Sequence, residues 1–177
     1  MRLAIYAGTF DPVTRGHLSV IERAARLFDA LWVVVAVNPQ KRPLFEADER
    51  VAMLEEVTAR WPNVHCARTG GYVVELARAQ GAHYLVRGVR GVTDIEGEIA
   101  LANLNRVLAP EIETVFVPAD PELSEVSSSR LKELARAGAD LSRICPPQLI
   151  ERLRARVDTK LREGEPEPTP ETEVPHV

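Results

Sequence analysis

The chain has 177 residues, 45% of them hydrophobic and 27% charged, a composition that suits a globular protein with one core. Its formal net charge of −4 arises from residues 163–177, which hold five Glu and no Lys or Arg and leave 22 basic and 21 acidic side chains elsewhere. This balance argues against a general nucleic-acid binder, which carries a basic face, and no apolar run approaches the ~20 residues of a membrane span.

We predict one domain over residues 1–162, followed by an acidic, Pro-rich tail over residues 163–177. The tail has almost nothing to bury and is predicted to be disordered. The first residues lack the long apolar region of a signal peptide, and Cys66 and Cys145 stand in neither a metal-ligand nor a redox spacing. Both features are typical of a protein in a reducing cytoplasm.

Apolar, strand-like runs alternate with helical patterns through this domain. Strands are predicted at residues 3–7, 31–37, 64–67, 84–86 and 114–117, and helices at residues 17–28, 48–60, 73–80, 94–108, 128–137 and 146–162. Asp48 is predicted to cap the second helix, and Gly81 to end the third. The alternation predicts an α/β protein with a single doubly wound, five-stranded parallel sheet. Ligands of such sheets bind beyond the carboxyl ends of the strands, so we expect the functional residues there.

The sequence GTFDPVTRGH, residues 8–17, follows the first strand and opens the first helix. Gly8 permits close approach of the backbone to a ligand, and Gly16 and His17 stand at a helix N-terminus, which attracts anions. The helix dipole disfavours protonation of His17, and a neutral imidazole can donate a hydrogen bond to a phosphate oxygen. For a Gly-His pair alone, simple turns and a local cap would be the better interpretation. The full string is far more specific.

This string resembles the (T/H)xGH motif of the nucleotidylyltransferase superfamily, in its Thr-x-Gly-His form. From Met1 to about Arg156 the chain is similar to the phosphopantetheine adenylyltransferase family. The resemblance implies a Rossmann-like nucleotidyltransferase fold and transfer of AMP from ATP to 4'-phosphopantetheine. It also implies Mg²⁺ bound with ATP, feedback by coenzyme A and a homohexamer.

Cations follow two other strands. Lys41 lies after the second strand and can reach a phosphate held near His17, while Arg87 and Arg90 flank a Gly after the fourth strand. Arginines in this arrangement suit bidentate phosphate contacts, although solvated surface cations are the alternative. The resemblance assigns Lys41 and Arg87 to the acceptor phosphate, and Gly88, Val89 and Arg90 to ATP.

Polar residues also mark two helices. Asp94, Glu98 and Asn105 share one helix face, which fits contacts to ribose or to magnesium-bound polyphosphate, with a solvated stripe as the alternative. The stretch DIEGEIALANLNR resembles the family signature DFEYE…MNR, with Ile95 and Gly97 in place of aromatic residues. The resemblance gives Glu98 an ATP contact.

The sequence SSSR, residues 127–130, begins another predicted helix. Hydroxyls and N–H groups at a helix start bind phosphate well, whereas a plain N-cap needs a single Ser. The segment resembles the ISSS sequence of the family, with Leu123 and Glu125 in place of aromatic residues.

In all, the resemblance implies ATP contacts by Gly8, Thr9, Phe10, His17, Gly88, Val89, Arg90, Glu98, Leu123, Ser124, Glu125, Val126, Ser127, Ser128 and Ser129, and acceptor contacts by Thr9, Lys41, Val73 and Arg87.

The expected chemistry needs no general base, because the second pKa of a phosphate monoester is about 6. We assign catalysis to His17, Lys41 and Arg90, which stabilise the α-phosphate, and we expect no protein metal site. Three alternatives stay open. The first is another superfamily enzyme, such as a nicotinamide-mononucleotide adenylyltransferase or a cytidylyltransferase, many of which carry His where this chain has Thr14. The others are a non-catalytic adenine-nucleotide sensor and an interaction scaffold.

Overall fold

The computed structural model describes residues 1–40 and 42–163. Its strands form one parallel sheet in the order β3-β2-β1-β4-β5. This confirms the predicted five-stranded sheet, and each strand overlaps the segment that the sequence predicted, although β4 extends three residues further. The strands are β1 (Leu3–Gly8), β2 (Ala30–Ala36), β3 (Val64–Thr69), β4 (Tyr84–Val89) and β5 (Glu113–Pro118).

Within residues 1–40 and 42–163, six α-helices connect and cover the strands. They are α1 (Arg15–Leu27), α2 (Ala47–Thr58), α3 (Val73–Gln80), α4 (Val92–Leu108), α5 (Ser128–Arg136) and α6 (Ile150–Glu163), with short 3-10 helices at Pro121–Leu123 and Pro147–Leu149. Within the described residues, none of these helices is long and apolar enough to cross a membrane.

Some predicted boundaries need correction. Asp48 does not cap α2: the N-cap is Glu46, whose backbone N–H donates to the Glu49 carboxylate at 2.8 Å. The last helix begins at Ile150, because residues 147–149 form a 3-10 turn first. The predicted tail lies outside the described residues from residue 164 onward, and Glu163 is the last residue of α6.

Alternating side chains of the strands build a separate core on each face of the sheet. On β1, Ala4 and Tyr6 belong to a core that also contains residues of α1, α2, α5 and α6. Leu3, Ile5 and Ala7 belong to a second core, which contains residues of α3. A strand buried on both faces needs the near-continuous apolar sequence that β1 and β2 have.

The chain order places a switch point at β1. After β1 the chain continues to β2 and β3 on one side, and then returns to β4 on the other side. Tyr6 pairs with Val86, which brings Gly8 and Gly88 close together at the carboxyl ends of both strands. A Cβ atom on Gly88 would lie 2.9 Å from Val20 Cγ2, so only Gly lets α1 pack this closely on β4. Open α/β sheets bind ligands at such a point.

Candidate active site

A cleft of about 340 Å³ opens at the carboxyl ends of β1 and β4. The structure brings together there most of the residues that the sequence singled out. The predicted residues that line the cleft are Gly8, Thr9, Phe10, His17, Arg87, Gly88, Arg90, Glu98, Val126, Ser127, Ser128 and Ser129.

Other predicted residues lie elsewhere. Val89, Ser124 and Glu125 do not line the cleft, and Leu123 lines a separate surface groove beside α1. Val73 is 4% exposed and packs in the core beneath α3. Lys41 lies outside the described residues. Their assigned contacts remain predictions.

The loop after β1 is held in shape by the ring of Phe10. Phe10 has a positive φ of 48°, which is unfavourable for a bulky residue, and its ring is 2% exposed. The ring makes edge contacts with Tyr6 and His17, at centroid distances of 5.4 and 5.0 Å. A Cβ atom on Gly8 would lie 3.1 Å from this ring, so Gly8 lets the Phe10 ring fold back over the strand end. Packing therefore fixes the cleft floor.

His17 is oriented by the start of its own helix. Thr14 is the N-cap of α1, and His17 stands at the third helical position in a capping box. The Thr14 backbone N–H donates to His17 Nδ1 at 3.0 Å, and the His17 N–H donates to Thr14 Oγ1 at 3.3 Å. Because Nδ1 accepts this bond, the proton of the neutral ring is assigned to Nε2. The Thr-x-x-His spacing thus leaves Nε2 as the nitrogen that can donate to a ligand.

The surroundings keep the His17 ring uncharged. Burial, together with a smaller effect of the positive charge of Arg90, lowers the pKa of His17 from 6.5 to about 4. The imidazole is therefore neutral at physiological pH and carries one N–H donor.

Arg87 is a strand residue, and this corrects the prediction that it lies in a loop. Strand β4 continues to Val89, because it pairs with β5 as far as Pro118. Arg87 forms a bidentate ion pair with Glu98 of α4, with Nε–Oε2 and Nη2–Oε1 distances of 2.5 and 2.7 Å. Glu98 is only 4% exposed. Arg87, which was predicted to bind the acceptor phosphate, and Glu98, which was predicted to contact ATP, therefore pair with each other in this structure.

A second pair joins Arg90 to Asp94 at the start of α4. The Arg90 Nε donates to Asp94 Oδ2 at 2.8 Å, and the Arg90 backbone N–H donates to the same oxygen at 3.2 Å. Asn105, on the same helix, is 3% exposed, and its Oδ1 accepts no hydrogen bond from the described residues. The polar face of α4 thus turns inward, as its spacing predicted. Two acids of this face, Asp94 and Glu98, form ion pairs with Arg90 and Arg87.

The serines at the start of α5 have three different environments. Ser127 is the N-cap and accepts a hydrogen bond from the Arg130 N–H at 3.1 Å. Ser128 Oγ donates to Pro12 O at 2.8 Å. The Ser129 hydroxyl makes no hydrogen bond within the described part of the chain. Together with the helix N–H groups, Ser129 is the serine best suited to bind an anion.

Sequence reasoning missed four residues that line the cleft, Tyr6, Ala7, Val20 and Ala119. The period-2 pattern of β1 could have indicated Tyr6, because residues two apart in a strand point to the same face. Tyr6 is 7% exposed, and burial raises the pKa of its hydroxyl, which stays protonated.

Comparison with known proteins identifies close relatives. Residues 5–134 match the family model described as cytidylyltransferase-like. A phosphopantetheine adenylyltransferase of Sodalis glossinidius is 44% identical over 154 residues, which cover 87% of this chain and 96% of that relative. One of Heliobacterium modesticaldum is 41% identical over 162 residues, covering 92% and 96%.

A solved structure shares the fold. The nicotinic acid mononucleotide adenylyltransferase of Plasmodium falciparum, in complex with NaAD, superposes with a TM-score of 0.62 at 17% identity, covering 94% of this chain and 99% of that one. The Rossmann-like nucleotidyltransferase fold expected from the sequence is confirmed.

Proposed function

We infer the reaction from one premise: the chain belongs to the phosphopantetheine adenylyltransferase family, within the cytidylyltransferase-like proteins. It is a nucleotidyltransferase that transfers AMP from ATP to 4'-phosphopantetheine and releases dephospho-coenzyme A and pyrophosphate. A phosphate oxygen of the acceptor attacks the α-phosphorus of ATP, and the bond from the α-phosphorus to the bridging oxygen of the β-phosphate breaks. The observation that carries this proposal is the cleft where His17, Arg87, Arg90 and the start of α5 converge.

The chemistry of the cleft fits this reaction. A phosphate acceptor is largely ionised at neutral pH, so the site needs donors and cations more than a base. A neutral His17 can donate from Nε2 to the α-phosphate, where negative charge develops in the transition state. We assign Arg90 to the same phosphate and Arg87 to the acceptor. Holding two anions in line supplies much of the rate enhancement.

Two further participants are proposed from the family resemblance. Lys41 would add a cation to the acceptor phosphate and the α-phosphate. Magnesium would enter as part of the ATP substrate and stay bound to polyphosphate oxygens and water, as this ion commonly does.

We also propose that the chain works in the cytoplasm as a homohexamer, with coenzyme A as a feedback ligand. Support for self-association comes from α4, whose outer side exposes several large apolar residues, a pattern typical of interfaces. They are Val92, Ile99, Leu104, Val107 and Leu108. Light scattering should then give a mass about six times the 19.6 kDa of one chain, and a monomer would contradict the proposal.

A pyrophosphate-release assay with Mg-ATP and a panel of acceptors tests the function. We expect release with 4'-phosphopantetheine, and little with nicotinamide mononucleotide or with CTP and phosphocholine. Faster turnover with nicotinamide mononucleotide or with CTP would contradict the proposal and would show that the chain is another enzyme of the superfamily. If ATP binds but releases no pyrophosphate with any acceptor, the chain is the non-catalytic nucleotide sensor.

The pH dependence gives a further prediction. His17 acts in its neutral form, and with a pKa of about 4 it is about 99% neutral at pH 6. The acceptor phosphate, by contrast, loses its second negative charge as pH falls through about 6. We therefore expect kcat/KM for the acceptor to decrease when the pH is lowered beneath about 6 in the wild type. The His17→Gln variant, which is less active overall, should show the same decrease. Disappearance of this acid limb in the variant would assign the titration to His17 instead.

A further inference from the structure

A buried ion pair lies behind the cleft wall, formed by Asp11 of the GTFDP sequence and Lys132 of α5. Their side chains are 3% and 5% exposed, and Lys132 Nζ lies 3.2 Å from Asp11 Oδ2. Neither residue lines the cleft. Burying two ionisable groups has a large desolvation cost, and apolar residues often give equal stability. Stability alone therefore does not explain why this ion pair is present, and the alternative is that the pair shapes the site.

The Asp11 carboxylate joins three parts of the chain. Its Oδ2 accepts from the Leu44 N–H at 2.8 Å, and its Oδ1 accepts from the Phe45 N–H at 2.9 Å. Both N–H groups belong to the segment between β2 and α2, which also contains Lys41. The third donor, Lys132, belongs to α5. One carboxylate thus fixes the loop after β1 against the loop after β2 and against α5.

Two further hydrogen bonds join the loop after β1 to α5 and to α2. Ser128, one helical turn before Lys132, donates from Oγ to Pro12 O at 2.8 Å. Arg50 of α2 donates from Nη1 to Thr9 O at 2.8 Å. The loop of residues 9–12 is therefore tied to α5 at two points and to the β2–α2 region at Asp11 and Thr9. These are the segments to which the proposed function assigns both reactants.

We propose that Asp11 and Lys132 are positioning residues, which set the distance between the acceptor phosphate and the α-phosphate. This inference depends on the proposed function. Since neither side chain lines the cleft, we expect their loss to leave most binding groups in place and to disturb the alignment of these groups. A misplacement of about 1 Å can lower the rate by ~10²-fold. We therefore expect a fall in kcat and a small change in both KM values.

The test compares Lys132→Met, Lys132→Arg and Asp11→Asn in the full chain. Pyrophosphate release gives kcat and KM, and thermal melting reports folding. Arg130→Met is the matched control: it removes an exposed cation of α5 whose ion-pair partner among the described residues is Glu133, three residues away, at 3.0 Å. We expect Lys132→Met and Asp11→Asn to lower kcat at least tenfold with KM values within threefold. Lys132→Arg should recover most of kcat, and Arg130→Met should resemble the wild type.

The outcomes separate the two proposals. A wild-type chain without pyrophosphate release refutes the proposed function. An active wild type with folded Lys132→Met or Asp11→Asn variants whose kcat lies within twofold of it refutes the positioning role alone. If Lys132→Met does not fold, Lys132→Arg and Asp11→Asn decide, assayed well below their melting temperatures. A loss of activity in Asp11→Asn that only matches its unfolded fraction also refutes the inference.

Discussion

Replacement of His17 by Ala is expected to lower kcat by roughly 10²- to 10³-fold, with a change in the KM for ATP of less than about threefold. The reason is that the Nε2 donor acts where charge develops in the transition state, and loss of one preorganised donor has an effect of this size. Ground-state binding of ATP rests on many other groups of the cleft. Steady-state pyrophosphate release, with each substrate varied in turn, gives both constants.

A pair of amide variants tests which nitrogen acts. The side-chain amide of Gln can place its nitrogen near the position of Nε2, whereas Asn reaches only as far as Nδ1, which already accepts from the Thr14 N–H. We expect His17→Gln to recover part of the lost rate and His17→Asn to behave like His17→Ala. Equal activity of all three variants would show that the position of the donor does not matter. Wild-type turnover in His17→Ala would remove His17 from the mechanism.

The fold was largely predictable because its signals are local. Strand β2 reads LWVVVA because both of its faces are buried, and α3 ends at Gly81, which has a positive φ of 68°. These features depend on a few neighbouring residues. The start of α2 was mispredicted because Asp48 and Glu46 have similar capping chemistry, and Glu49 decides between them by accepting the N–H of Glu46.

The site was predictable as a set of residues, and its pairings were not. Position after a strand and resemblance to a family indicate that Arg87 faces a ligand, but they do not indicate its partner. Glu98 is eleven residues away on the next helix, and only the packing of α4 against β4 brings it within 2.5 Å of Arg87. The Asp11–Lys132 pair spans 121 residues and left no mark in the sequence pattern. Long-range electrostatic pairs depend on the assembled fold.

Replacement of Arg87 by Ala is expected to raise the KM for 4'-phosphopantetheine by roughly 10- to 100-fold, with a smaller change in kcat. A hydrogen bond to a charged group contributes about 1.5–3 kcal/mol, so the loss of one such bond to the acceptor phosphate corresponds to this range. The ATP KM should stay within about threefold. The measurement is pyrophosphate release with the acceptor varied at saturating ATP.

The ion pair with Glu98 complicates this variant and also provides its control. Arg87→Ala removes the cation that pairs with Glu98, whose side chain is buried at 4% exposure. Breaking a buried ion pair in this way typically costs about 3–5 kcal/mol of stability. Arg87→Ala combined with Glu98→Gln removes the unpaired carboxylate, so we expect it to recover melting temperature and to retain the high acceptor KM. Recovery of the acceptor KM together with stability would mean that Arg87 orders the cleft and does not bind the phosphate.

The single variant Glu98→Gln isolates the role of the carboxylate. A raised KM for ATP supports the assigned contact of Glu98 with that substrate. A raised KM for the acceptor alone indicates that Glu98 acts by aligning the guanidinium of Arg87.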